Sequence, residues 1–281
     1  MDINVKDQKV FVVEGHLSQE QARERAWEQK ASAFGTLSRL FMRPKSDDIQ
    51  VASIVKRFDP EWHFLAHKRV VFQRKREYRV PVGDGTVQRV TVTGNEYAVT
   101  AEPARTFTIT GVEHCEDDVR LEGLLDGTTG EMIQDEGLMR APRQELIEVS
   151  SFAPSDATVV QPELKASGAL QRIVQRLMKH YEADEVLEEF IDVEHLYLLF
   201  HPVYAFEFVW EKKGKRAGVE LDAATERMRT LSEGLQQKLG RLLDSEVLFD
   251  LGKEAAKLVV PGGEITLKII GKALGQRPKG S

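Results

Sequence analysis

Only one cysteine, Cys115, occurs in the 281 residues. No disulfide can close within the chain, and no cysteine-built zinc site can form. This usage fits a reducing compartment. Long apolar runs are also missing, since residues 196–200 are followed at once by His201 and Pro202, far short of the roughly 20 residues that span a bilayer. The opening residues mix acids with short apolar runs and lack the basic, apolar and small-residue order of a secretory leader, so a cytoplasmic protein of bacterial type is expected. Positive charge is not in excess, because 45 acids outnumber 39 lysines and arginines for a net charge of −6. Any attraction to nucleic acid must therefore come from a local patch. Phosphate-loop, dinucleotide, HExxH, GxSxG and CxxC patterns are all missing, which leans away from an enzyme and gives no cofactor to expect.

Hydrophobic residues make up 41% and charged residues 30%, an ordinary balance for a folded soluble chain. The clearest folding signal is residues 196–228, where strand-forming residues run up to a basic, glycine-containing turn at 212–216 and resume beyond it. That pattern predicts a β-hairpin. Upstream, Ser18 with Gln21 makes a capping box for a helix over 19–41. Strands are expected at 10–14, 49–58, 62–66, 78–82, 87–93, 106–111 and 119–125, with Arg74, Lys75 and Arg76 at or near a turn and Asp126-Gly127 at another. Residues 150–162 look like a linker. Ser167 then caps a helix whose stripe includes Leu170, Ile173, Val174 and Leu177 and which, alone or with a second helix, continues through Val186, Leu187 and Phe190.

The two halves echo one another. Pro60-x-Trp62-x-Phe64 matches Pro202-x-Tyr204-x-Phe206, and Asp126-x-x-Thr129-x-x-Met132 matches Asp222-x-x-Thr225-x-x-Met228. The endings VRLEGLLDGTTGEMI and RAGVELDAATERM resemble the closing strand and turn of PepSY-type modules, small α+β units with a helix against a meander, several of which bind or restrain proteases. The second copy lacks the glycine after Thr225. The resemblance implies a fold and no active residues.

Five features are candidates for function. His63 and His67, four apart, sit on a strand that would hold them about 13 Å apart, and His114-Cys115-Glu116-Asp117-Asp118 alternates between strand faces, so neither makes a ready metal site. Glu188, Glu189, Asp192, Glu194, His195 and His201 fall on different elements and read as a solvated helix end. The basic hairpins, with Arg74, Lys75 and Arg76 in one and Lys212, Lys213, Lys215 and Arg216 in the other, are candidate contact surfaces. So is a C-terminal stripe of Met228, Leu231, Leu235, Leu239 and Leu242, followed by further helices that include residues 265–274.

These observations predict an α+β protein of two related helix-plus-antiparallel-sheet units, residues 1–150 and 151–228, followed by an amphipathic helical tail, 229–281. The expected function is non-enzymatic protein interaction or assembly, with a protein partner or self-association. The alternatives are an anion-directed binder of nucleic acid or acidic membrane, with peripheral contact through the tail, and a hydrolase or metal enzyme with a dispersed site.

Overall fold

The computed structural model describes residues 2–34, 48–101, 103–149, 152–231 and 265–268. The strands are β1 (Asp2–Val5), β2 (Gln8–Val13), β3 (Ile49–Pro81), β4 (Arg89–Val92), β5 (Asn95–Ala98), β6 (Thr106–Asp126), β7 (Met132–Ile133), β8 (Arg143–Glu145), β9 (Thr158–Val159), β10 (Glu185–Trp210), β11 (Lys215–Asp222), β12 (Met228–Leu231) and β13 (Ile265–Lys268). The helices are α1 (Gln19–Glu28), α2 (Lys30–Ala33), α3 (Glu136–Arg140) and α4 (Ala166–Leu177).

Most of the described chain is strand, and eleven strands join one mixed sheet. This corrects the α+β reading of two helix-plus-sheet units. The 33-residue β3 and the 26-residue β10 lie antiparallel along the centre, so each half of the chain supplies one of the two axial strands. The other edge of β3 pairs with β6 and, near Phe58, with β9 in parallel. The other edge of β10 takes β1 and β2 in parallel and then β11 antiparallel.

Continuity of β3 through Arg74, Lys75 and Arg76 corrects the turn expected there. Opposite this basic stretch lies the acidic part of β6, and Lys68 meets Asp117, Arg69 meets Glu116, and Arg74 meets Glu113. Cross-strand opposite charges stabilise a ladder, and their partners are some forty residues away in sequence. β6 is likewise continuous where two strands were expected. The chain reverses instead between Pro81 and Thr106, where the small β4–β5 hairpin lies.

Both larger helices cover one face of the sheet. Ser18 caps α1 in a complete capping box, accepting from the Gln21 N–H at 3.2 Å while its own N–H donates to Gln21 Oε1 at 2.9 Å. Ala22 and Ala26 of α1 pack with Tyr204, Phe206, Val219 and Leu221. Helix α4 starts after Lys165 rather than at Ser167, and buries Leu170, Ile173, Val174 and Leu177 with Trp62, Phe64 and Ala66. It ends at Leu177. Val186, Leu187 and Phe190 lie in β10, not in a helix, because their backbone is drawn into pairing with β3.

The hairpin at 212–216 is present, with β10 and β11 joined by a 3-10 turn and Gly214 at φ 59°, a backbone conformation that costs glycine little. The echoed residues make matched turns: the Gly127 N–H donates to the Pro60 carbonyl and the Ala223 N–H to the Pro202 carbonyl, each at 2.8 Å. Asp126 and Asp222 each accept from backbone N–H groups two and three residues on. These are local correspondences within a single sheet. The described parts of the tail, Met228–Leu231 and Ile265–Lys268, are strands on β11 and β1, which corrects the helical assignment there. Leu235, Leu239 and Leu242 lie outside the described residues.

Candidate functional site

On the sheet face opposite Trp62 and Phe64, three central strands bring an imidazole, a second imidazole and a carboxylate together. His63 comes from β3, His195 from β10 and Glu122 from β6, and one ligand-capable atom from each lies within 4.8 Å of the other two. A β-bulge makes this possible. Val193 pairs with Ala66 and His195 with Leu65, leaving Glu194 as the extra residue. Regular alternation would put residues 193 and 195 on one face; with Glu194 unpaired, Val193 enters the core while His195 emerges beside His63, the re-aiming that bulges provide.

Aromatic contacts hold the rings. The His195 ring stacks on Tyr197 with centroids 4.4 Å apart and planes 13° apart, and lies 4.6 Å from the His63 ring. The Tyr197 hydroxyl donates to Asp7 at 2.6 Å, and burial together with that carboxylate pushes its pKa up to about 12. His63 Nε2 is 3.0 Å from Glu122 Oε1, and Arg143 Nη1 is 3.3 Å from His63 Nδ1. Because a guanidinium only donates, Nδ1 accepts and the His63 proton sits on Nε2, facing Glu122. Arg143 also lies over the rings of Phe11 and Tyr197, at 5.0 and 5.6 Å.

Burial lowers the pKa of His63 against the pull of Glu122, and burial, then the neighbouring His63, takes His195 down to about 4. Both rings are therefore neutral near pH 7. His63 is buried, His195 half-buried and Glu122 exposed, so the cluster opens on its carboxylate side. His195 Nε2 is buried without a hydrogen-bond partner among the described residues. Chemically, the arrangement offers two neutral nitrogen donors and one carboxylate oxygen.

Comparison with protein-family models, curated proteins and solved structures finds no match.

The residues singled out from sequence are dispersed. His67, on the same face as His63, pairs with Asp118 at 2.9 Å and stays outside the cluster. The run 114–118 divides between faces, and its Asp117 is bound to Lys68 and Tyr181, which together lower its pKa to about 2. Of the residues 188–201, His195 joins the cluster, whereas His201 is fully buried between Glu61 and Asp222. The basic residues are largely matched by acids: Arg74 to Glu113, Arg76 to Glu182, Lys212 to Asp48 and Arg216 to Glu207, with the Lys75 backbone N–H on Asp184. Lys213 and Lys215 are exposed at the hairpin tip, and Leu231 is in β12.

Sequence reasoning missed the cluster because its members are 59 and 73 residues apart from one another. The usable signal was parity. His63 alternates with Trp62 and Phe64, which assigns it to the face away from the core, but pairing it with His195 requires the register of β10 and its bulge.

Proposed function

We propose that the chain is a non-enzymatic partner-binding protein whose contact element is the arm formed by the ends of β3 and β6. Beyond the rung that joins Gln73 to Glu185, β3 leaves β10 and continues with β6 alone for eight pairs, Arg74 with Glu113 through Pro81 with Thr106. At about 3.3 Å per residue the ribbon extends roughly 25 Å from the central sheet, and it leads into the β4–β5 hairpin.

The observation that carries this reading is the state of the arm's charges. Arg74 and Arg76 are engaged by Glu113 and Glu182, while Tyr78 on one face and Val112 on the other are 42% and 50% exposed. With Arg74 and Arg76 compensated, only Lys75 and Arg79 remaining as exposed cations of the paired stretch, and apolar groups presented on both faces, the ribbon favours a protein surface over a phosphate backbone, for which uncompensated cations supply the attraction.

A photo-crosslinking residue placed at position 78 or 112 of the full chain tests the proposal, together with light scattering coupled to size exclusion. Crosslinks to a second copy or to another polypeptide, at the arm and not at a control position such as Lys9, are expected. A monomer that yields only nucleic-acid or lipid adducts, or none, overturns the reading.

A further inference from the structure

We propose that His63, Glu122 and His195 form a binding site for a divalent late first-row transition ion of the zinc or cobalt kind. The donor set selects the class: two imidazole nitrogens and a single carboxylate suit such ions, whereas magnesium and calcium prefer shells of oxygen. Zinc sites take nitrogen at about 2.0–2.1 Å and carboxylate oxygen at about 2.0–2.2 Å. Donors already within 4.8 Å of one another need only small side-chain rotations to meet at one point.

Geometry outside the donors supports the assignment. Among the described residues, His195 Nε2 is a buried nitrogen with no hydrogen-bond partner, which ordinarily costs free energy and calls for an explanation. Its ring is held flat against Tyr197, which fixes the plane in which its two nitrogens lie. The exposed side of Glu122 leaves room for water to complete the shell, as in three-ligand zinc sites.

Arg143 competes with the ion. An ion on His63 Nε2 displaces that proton to Nδ1, where Arg143 Nη1 now donates at 3.3 Å, and two donors would face each other. Arg143 must then withdraw over Phe11 and Tyr197, the rings it already overlies. Removing the guanidinium should therefore tighten ion binding, a response that a purely structural His–Glu pair would not give.

The test titrates metal-free, full-length protein with Co²⁺, read by visible absorption, and with Zn²⁺, read by calorimetry. One equivalent is expected in each case. Glu122→Gln and His195→Asn should each weaken binding at least about tenfold, Arg143→Gln should tighten it several-fold, and His67→Asn, on the same face, should leave it unchanged. Glu122 is exposed and the glutamine nearly isosteric, so that variant keeps the fold, as its circular dichroism spectrum will verify. The proposal is overturned if no single equivalent binds, if Glu122→Gln and His195→Asn bind as the wild type does, or if Arg143→Gln fails to tighten binding.

Discussion

An added Cβ at Gly127 would lie 2.5 Å from the Pro60 carbonyl oxygen. That oxygen already accepts the Gly127 N–H, so the two backbones cannot separate without losing the bond. Gly127→Ala should cost about 1–3 kcal/mol, seen as a lower denaturant midpoint with an unchanged slope. A second residue-scale prediction concerns His201. Burial alone would lower its pKa, but the charge of Glu61, 3.2 Å from Nε2, and the Asp222 carboxylate, 2.6 Å from Nδ1, outweigh it and hold it well above its ordinary value. The folded state therefore binds this proton more tightly than the unfolded chain, so the stabilisation is complete below the unfolded pKa of about 6.5 and is lost as pH rises through the higher folded value. Asp222, whose pKa is lowered against burial by His201, works in the other direction, and its contribution fades as pH falls below the ordinary carboxylate range. Urea unfolding from pH 4 to 10 should show stability declining on the alkaline side, and His201→Gln should flatten that decline while lowering stability overall. Neither Gly127 nor His201 could be ranked from sequence: Asp126-Gly127 was legible as a turn, but its contact with Pro60 and the burial of His201 depend on strands paired across the whole chain.

Strand β10 shows why some elements were misread. Its pairing with β3 slips at Leu187 and again at Glu194, so the apolar positions do not keep one period of two from end to end. Val186, Leu187 and Phe190 consequently have the spacing of a helical stripe. The regular parts, such as Tyr204, Phe206 and Phe208, were read as strand because nothing interrupts the alternation up to Phe206 and the hairpin turn follows soon after. Bulges also set what deletions should do. Removing Glu194 leaves Val193 and His195 in their present register with Ala66 and Leu65, but on the other edge, where Val193 faces Val5 and Leu196 faces Gln8, it breaks step with the β1–β2 connection, so the protein should still fold at a cost of about 1–3 kcal/mol, the loss of one or two sheet hydrogen bonds. Removing Leu198, in the regular stretch, shifts its neighbours to the wrong face and should abolish folding, as near-ultraviolet circular dichroism will report.

At the scale of the whole molecule, each half depends on the other. Strand β2 pairs with β10 and α1 packs over β10 and β11, while β9 pairs with β3 and α4 packs over β3 and β6. The linker read at residues 150–162 marks a change in composition, but part of it is a strand of the common sheet. Residues 1–162 expressed alone should therefore lack cooperative unfolding, and residues 152–231 supplied in trans should restore it; the full chain should melt in one calorimetric transition with equal calorimetric and van't Hoff enthalpies. The same arrangement imposes a schedule on synthesis. Strand β3 is complete at Pro81, but the strand that covers its second edge is not begun until Glu185. At translation rates of about 5–20 residues per second, some 5–20 s pass with that edge open on the nascent chain, and chaperone occupancy on ribosome-bound intermediates should peak in this interval and fall once residue 210 has emerged.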